Sequence, residues 1–393
     1  MFTTISIYFF MAFLIFWAYC GYLISIYLLS LFGKKNNKNQ KIISYPHITI
    51  LIPCYNEENL IKEKVENIKQ LDYPEQKMKA YFLDGDSDDS TYEKLKKETK
   101  NCEYISVLKT HCQGKINQIN YILPQVDTEI IVCTDMDALL EKNVLKEFIK
   151  TFQADDEVAV VGAKIIPENS SDLEAQYWES QNTLRLLESE VHSSSIVIAP
   201  CYAFKRSLLS SFPDDCIADD IYISFLANSQ RHKVKYIANA VVHETRTPAT
   251  LNQLITHKFR KGNAYQIELL RFVYTLPRML PRWKLIFLTK FLQVIIMPWV
   301  LVFFALCSIS LLLSGSMYLN VVGFNVILLF ISLVITSFLM SRKRKKFSPG
   351  KTKRSILSLF LVANFILLIN GLTFPFYSQS SRYPKIESKK KKQ

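Results

Sequence analysis

Two groups of acidic residues stand where apolar segments break off and a third opens an amphipathic stretch, and their spacing limits the chemistry the chain could do. Residues 130–138 read IIVCTDMDA, an uncharged run that ends in Asp135 and Asp137. Residues 81–91 read YFLDGDSDDST, with Asp84 at the end of a similar run, and Asp219-Asp220 precede the amphipathic stretch IYISFLANS. Two carboxylates one residue apart repel each other and resist leaving water unless a cation neutralises them. A small number of hard oxygen ligands, with coordination positions left for phosphate oxygens, describes Mg²⁺ or Mn²⁺ bound to a diphosphate. The stretch DGDSDDST offers aspartates at alternate positions, as a calcium loop does. With Asp84 as its first position, however, the turn glycine falls on Asp89 and the bidentate glutamate on Leu95, so the spacing fails. Two readings of it remain, an acidic solvated loop that caps a helix and a nucleotide-facing loop. Asp219-Asp220 taken alone reads as an N-terminal helix cap, although a positioned carboxylate can also take a proton from an attacking hydroxyl.

The elements that must position these groups alternate. HITILIPCYN is a β-branched run that stops at Asn56, expected to cap the helix EENLIKEKVENIKQL, whose Ile61, Val65 and Ile68 fall on one face. KAYFLDG is followed by Ser90-x-x-Glu93, a capping-box spacing that opens STYEKLKKETK. EYISVLK and KINQINYIL come next, and EIIVCTD closes the series. The expected fold is α/β, a Rossmann-like and mostly parallel sheet covered by helices on both faces. Such sheets bind ligands at the carboxyl ends of their strands, where Asp84, Asp135 and the Pro53-to-Glu57 segment would share a rim. No G-x-G-x-x-G follows the first strand and no G-x-x-x-x-G-K-[ST] occurs, so dinucleotide and P-loop sites have no support.

Apolar segments flank this region. Residues 5–32 carry no charge and exceed the roughly 30 Å of a bilayer core. A cleaved secretory signal fits poorly, because the run is too long, no basic residue precedes it and no small-residue cleavage site follows. Residues 291–313, 318–340 and 355–376 read as three further spans, and Lys290 at the edge of the first of these is expected to snorkel. Between them and the middle region, Arg271, Arg278, Arg282 and Lys284 among aromatic residues suggest a helix in the membrane interface. Lys34, Lys35, Lys38 and Lys41 place the middle region in the cytoplasm by the positive-inside rule. Residues 34–41 (+4), 341–354 (+8) and 382–393 (+5) account for more than the net +13, so the basicity is juxtamembrane and a nucleic-acid partner is not expected. Four spans would leave the Lys389–Lys392 tail outside, against the same rule, unless the last segment fails to cross. The eight cysteines form no C-x-x-C pair and suit a reducing compartment.

Six stretches, PCYNEE (53–58), LDYP (71–74), DGDSDD (84–89), QGKINQIN (113–120), TDMDA (134–138) and IADDIYIS (217–224) with VKYIANAVVHE (234–244), follow one another in an order that resembles the membrane-bound family 2 glycosyltransferases, relatives of poly-N-acetylglucosamine, hyaluronan and cellulose synthases. The resemblance implies a GT-A domain. It implies that Pro53, Tyr55 and Glu57 surround the nucleoside, that Asp84 contacts the base, and that Lys115 and Arg260 face the nucleotide diphosphate. It further implies Asp135 against the diphosphate, Asp137 with Asp135 on the metal, and Asp220 as catalytic base beside Asp219. Where processive members carry Gln-x-x-Arg-Trp, this chain reads His257-Lys258-Phe259-Arg260-Lys261, which puts processive synthesis in doubt. The expected domains are a membrane helix (1–33), a basic linker (34–46), the GT-A domain (47–265), an interfacial region (266–290), three membrane helices (291–377) and a basic tail (378–393). The expected protein is a multi-pass enzyme of the plasma (inner) membrane with a cytoplasmic catalytic domain. It would transfer a sugar, with inversion, from a nucleotide sugar, UDP-linked by preference, to a lipid or glycan acceptor at the bilayer. The alternatives are a processive synthase that secretes its polymer and a non-catalytic subunit that keeps the fold. A transporter is disfavoured, since the spans hold no paired acidic residues.

Overall fold

The computed structural model describes residues 2–32, 41–168, 170, 172–246, 251–313, 315, 319–347 and 356–373. Residues 34–40 of the basic linker, the turn between the last two apolar segments and the basic tail lie outside the described residues.

The uncharged N-terminal stretch forms α1 (Phe2–Phe16) and α2 (Tyr22–Phe32), joined by a π-helical turn at Trp17–Gly21. The expected alternation follows it: β1 (Ile48–Cys54), α3 (Ile61–Lys69), β2 (Met78–Asp84), α4 (Thr91–Thr99), β3 (Ile105–Lys109), α5 (Lys115–Ile122) and β4 (Ile130–Thr134). These four strands pair in parallel, in the order β3-β2-β1-β4. Because both faces of the sheet are covered, the strands are continuously apolar rather than alternating. Ile50, Ile52 and Val132 pack on one side, with Val65 and Ile68 of α3. Leu51, Ile131 and Cys133 pack on the other, with Ile116 and Ile119 of α5. Each such side chain contributes about 1.5–3 kcal/mol by leaving water.

The second half of the sheet departs from the simple alternation. It comprises β5 (Ala138–Leu140), α6 (Val144–Ala154), β6 (Val158–Pro167), α7 (Asp172–Val191), β7 (Cys201–Lys205), α8 (Asp219–Ser229) and β8 (Lys233–Glu244). The complete order is β3-β2-β1-β4-β7-β6-β8-β5, with β7 antiparallel to both neighbours and β5 antiparallel to β8. The sheet is therefore mixed. Reversal of β7 brings the segment before it, residues 192–200, to the same rim as the end of β4.

Helix α9 (Leu251–Phe272) leaves the sheet and runs through the expected boundary at 265/266. A 3₁₀ segment at Val273–Arg278 leads to α10 (Pro281–Phe291), which continues through a π-helical turn at Leu292–Ile296 into α11 (Met297–Leu313). Then come α12 (Leu319–Phe347) and α13 (Ile356–Thr373). Among the described residues, three helical stretches are long and apolar enough to cross a membrane: Thr4–Phe32, Pro281–Leu313 and Asn320–Leu339. The fourth expected span, 355–376, extends past the described residues at both ends.

Two expectations about basic residues are corrected. Arg271 does not reach for headgroups: its guanidinium pairs with Asp215 at 2.9 Å and with buried Glu268 at 3.0 Å. Lys290 does not snorkel: it is buried and pairs with Glu188 at 3.2 Å. All eight cysteines are free, and none has a disulfide partner.

Candidate active site

The ladder between β1 and β4 stops at Leu51↔Cys133, while that between β1 and β2 continues to Cys54↔Asp84. Pro53, which has no N–H to give, falls beyond the point where β4 is paired, so the sheet loses nothing by it. Asp84 is buried and accepts hydrogen bonds from Ser87 Oγ at 2.5 Å and Ser87 N at 3.4 Å. Gly85 N donates to Cys54 O, and a Cβ at this glycine would overlap Gln118 Nε2. Gln118 in turn accepts from Cys54 N at 3.1 Å, so α5 laces the ends of β1 and β2 together.

The two loops beyond these strands are bound to each other rather than to the helices they precede. Asn56 does not cap α3. It adopts φ 52°, and its Oδ1 accepts from Asp88 N at 2.7 Å while its N donates to Ser87 Oγ at 2.9 Å. Ser90 makes no side-chain cap; Asp89 Oδ1 accepts from Thr91 N instead, at 2.9 Å. Tyr55 OH donates to Asp88 Oδ2 at 3.1 Å and Glu57 N to Thr91 Oγ1 at 2.7 Å. The loops after β1 and β2 are thereby tied together beside buried Asp84.

Across the rim, the turn after β4 is clamped from three sides. Asp135 N and Thr134 Oγ1 donate to Pro200 O at 3.2 and 2.9 Å. Thr245 N and Oγ1 donate to Asp137 O at 2.9 and 3.0 Å. From beneath, the fully buried Lys64 donates to Thr134 Oγ1 at 3.0 Å and Ala138 O at 2.5 Å, bracketing the turn. Burial pushes that lysine down to about 8.

Two cations are each shared between two of the carboxylates. Lys115 lies 2.8 Å from Asp135 and 3.0 Å from Asp219, and these two carboxylates outweigh burial to hold its ammonium well above the usual lysine range. Arg246 reaches Glu57 at 2.8 Å and Asp137 at 3.3 Å. Two cations shared among Asp135, Asp219, Glu57 and Asp137 offset only part of the negative charge at the D-x-D pair. Asp137 is still pushed up to about 6, by burial first and then by Asp135 and Glu57, against Arg246. Asp219 accepts from Tyr202 OH at 2.6 Å. Asp220 accepts from Ala199 N at 3.0 Å, and burial followed by Asp219 pushes it up to about 6 against Lys115 and Lys261. Ala218, which precedes α8, gives no side-chain cap; Asp220 Oδ1 accepts the first-turn N–H of Ile221 at 3.0 Å while its Oδ2 takes Ala199 N.

Among the described residues, no set of three or more His, Cys, Asp and Glu side chains is arranged to hold a metal. Asp135 and Asp137 supply hard oxygens that are too few to complete a coordination shell, and that fits an ion which keeps water and takes phosphate oxygens. The sequence-expected residues Pro53, Tyr55, Glu57, Asp84, Lys115, Asp135, Asp137, Asp219 and Asp220 come to this one rim. Arg260 lies half-buried on α9 in the same turn as Lys261, whose charge acts on Asp220. Lys64, Gln118, Tyr202 and Arg246 were not singled out from the sequence. Lys64 left a signal there, a lysine at i+3 from Ile61 inside the apolar stripe of α3; Arg246, just past the end of β8, left none.

The chain is similar to known proteins in sequence and in fold. Residues 49–212 match the model of "Glycosyl transferase family 2". Poly-beta-1,6-N-acetyl-D-glucosamine synthase of Staphylococcus aureus is 25% identical over 57% of this chain and 56% of its own length. The synthase of the same name from Staphylococcus epidermidis is 24% identical over 67% of this chain and 65% of its own length. The chain thus spans somewhat over half the length of these curated relatives. A mannosyltransferase from Pyrobaculum calidifontis, solved with GDP-Man and Mn²⁺, superposes with a TM-score of 0.69 at 20% identity, over 93% of this chain and 98% of that one, and shares the GT-A fold. Residues 49–212 thus match glycosyl transferase family 2, and over somewhat more than half of its length the chain is similar to polysaccharide synthases.

Proposed function

We propose that the chain transfers a sugar from a nucleotide donor, UDP-linked by preference, to a lipid or glycan acceptor at a membrane surface, with inversion at the anomeric carbon. One observation carries this reading. Lys115 joins Asp135 on the donor side to Asp219 beside the base, so the leaving diphosphate and the attacking hydroxyl would meet within one ion-paired cluster. The nucleoside would lie beside Pro53, Tyr55 and Glu57, with Asp84 at the base, and Lys115 and Arg260 would face the diphosphate. Asp220 takes the proton of the acceptor hydroxyl as its oxygen bonds to the anomeric carbon, and the bond from that carbon to the diphosphate oxygen breaks with its electron pair on the leaving group. Asp135 and Asp137 would hold a divalent ion, which would supply charge neutralisation for the leaving group. The protein's remaining contribution is alignment of the two reactants.

A base must be ionised to act. Asp220 at about 6 is ionised at neutral pH yet basic enough to accept a proton. The three apolar helices would hold this rim at the cytoplasmic face of the plasma membrane. The test is the full chain in lipid nanodiscs with a panel of UDP- and GDP-sugars. Transfer to endogenous lipid or glycan, with release of nucleoside diphosphate, supports the reading, and binding without turnover of any donor favours the non-catalytic alternative. Sizing the product separates a single transfer from polymer synthesis.

A further inference from the structure

Glu188 on α7 is fully buried, and its carboxylate gathers three donors from three different parts of the chain. Oε1 accepts from Tyr22 OH of α2 at 2.6 Å and lies 3.2 Å from Lys290 Nζ of α10, while Oε2 accepts from Ser195 N at 2.8 Å. The Lys290 ammonium also lies 5.2 Å from the Tyr22 ring centroid. Burial favours the neutral acid, yet Lys290 and the hydrogen bonds from Ser195 and Tyr22 prevail and hold Glu188 below the usual range. Both apolar helices are modified at this level. Tyr22 directly follows one π-helical turn and Lys290 stands two residues before the other, and Gln293 Nε2 of the second donates to Ala18 O of the first. A π-turn frees a backbone carbonyl, and such turns recur at functional sites rather than in plain spans. Thr4–Phe32 and Pro281–Leu313 are also longer than a span needs. At 1.5 Å per residue they measure about 43 and 50 Å against a hydrocarbon core of roughly 30 Å. The excess accommodates Tyr22 and Lys290 where the helices meet the sheet domain.

From Glu188 a short buried segment leads to the active site. Ser193, Ser194, Ser195, Val197 and Ile198 are all buried. Ser194 N donates to Val234 O at 2.7 Å and Val197 N to Ser224 Oγ at 3.0 Å, so the segment has little freedom. Its last two residues touch the proposed machinery: Ala199 N donates to Asp220 Oδ2 at 3.0 Å, Ala199 O accepts from Lys115 at 3.5 Å, and Pro200 O accepts from Asp135 N and Thr134 Oγ1. We propose that Glu188, together with Tyr22 and Lys290, forms a positioning device in which docking of the first and second apolar helices fixes residues 192–200 and thereby sets the orientation of Asp220. This rests on the reading of Asp220 as the base. Glu188 is a positioning residue, not a catalytic one, since it reaches the reacting atoms only through the segment.

The test uses the full chain in nanodiscs and two variants built to stay folded. Tyr22→Phe removes one hydrogen bond and no charge. The double variant Glu188→Gln with Lys290→Met removes both members of the ion pair, which avoids the uncompensated charge that a single change would bury. The groups that face Asp220 are Asp219 on α8, Lys115 from α5, Lys261, Tyr265 and Glu268 from α9, and Cys216 before α8, and all remain in both variants. The Ala199 N–H bond favours the ionised form of Asp220, so loosening it raises the acid limb of the kcat–pH profile. The expected result is a fall in kcat of roughly tenfold to a hundredfold, the range for one hydrogen bond to a charged group, with that limb moved to higher pH and nucleotide affinity unchanged. Wild-type kcat and an unmoved limb in both folded variants would overturn the positioning role, as would a loss of nucleotide affinity that parallels the loss of kcat. An Asp220→Asn variant that still turns over donor overturns the base assignment itself. If that variant is inactive while the Glu188 and Tyr22 variants behave as wild type, only the positioning role falls.

Discussion

Lys115→Met removes the cation that joins Asp135 to Asp219, and its cost can be worked from the two distances. At an effective dielectric constant near 20, charges 2.8 and 3.0 Å apart attract by about 5–6 kcal/mol per pair before desolvation is counted. Lysine desolvation offsets part of this, and breaking a buried pair by removing one partner costs about 3–5 kcal/mol in practice. Asp135 is partly exposed and Asp219 is not, so the lower end, about 3 kcal/mol, applies. For a domain of this size that corresponds to a melting temperature lower by about 6–12 °C. The deficit depends on pH in a definite direction. Asp220 already stands at about 6 with Lys115 holding it down, so in the variant its folded-state value rises further above the unfolded one. A carboxyl group raised on folding takes up a proton more readily in the native state, and stability then falls as pH rises. The deficit is therefore full at pH 8 and shrinks as pH falls through about 6 and below. The assay is thermal unfolding of the full chain in nanodiscs, free of metal and nucleotide, at pH 8 and pH 5.5. Equal melting of variant and wild type at pH 8, or an equal deficit at both pH values, would refute the reasoning.

Three further outcomes are expected. Wild-type kcat should rise with pH through an acid limb near 6, since Asp220 must lose its proton to act as base; a limb near 4 in steady-state profiles would contradict the burial argument. Gly85→Ala should weaken donor affinity by about 1–3 kcal/mol, because the added methyl displaces Gln118 and frees Cys54 N, and isothermal titration with nucleoside diphosphate should show Gln118→Ala restoring part of it. Chelation of divalent ions should abolish turnover, with Mn²⁺ or Mg²⁺ restoring it; undiminished release of nucleoside diphosphate in chelator would remove the metal from Asp135 and Asp137.

The first half of the sheet was legible because β1, β2, β3 and β4 are buried on both faces and read as apolar runs separated by helical periods. The capping signals at Asn56 and Ser90 misled, since the same side chains can satisfy a neighbouring loop as well as a helix end, and here the loops of β1 and β2 face each other. The antiparallel β7 and β5 carry no mark of their direction in sequence; direction is fixed by which edge of the sheet is free when they arrive. Asp84, Asp135 and Asp137 were legible because they end apolar runs, whereas Asp219-Asp220 stood out only through the family resemblance. Of their counter-cations Lys115 was legible and Arg246, beyond a strand end, was not; nor were Lys64, in an ordinary helical stripe, and the pairing of Lys290 with Glu188. These partners are chosen by tertiary proximity, which spacing does not encode.

The central claim is that Asp220 deprotonates an acceptor whose donor is already seated on the turn of Asp135 and Asp137. Single-turnover transfer from radiolabelled donor by purified Asp220→Asn in nanodiscs, with nucleotide affinity measured on the same preparation, tests it most directly. The account predicts wild-type affinity with transfer slower by about 10²–10⁴. Transfer at the wild-type rate, or a loss of donor binding equal to the loss of rate, would contradict it.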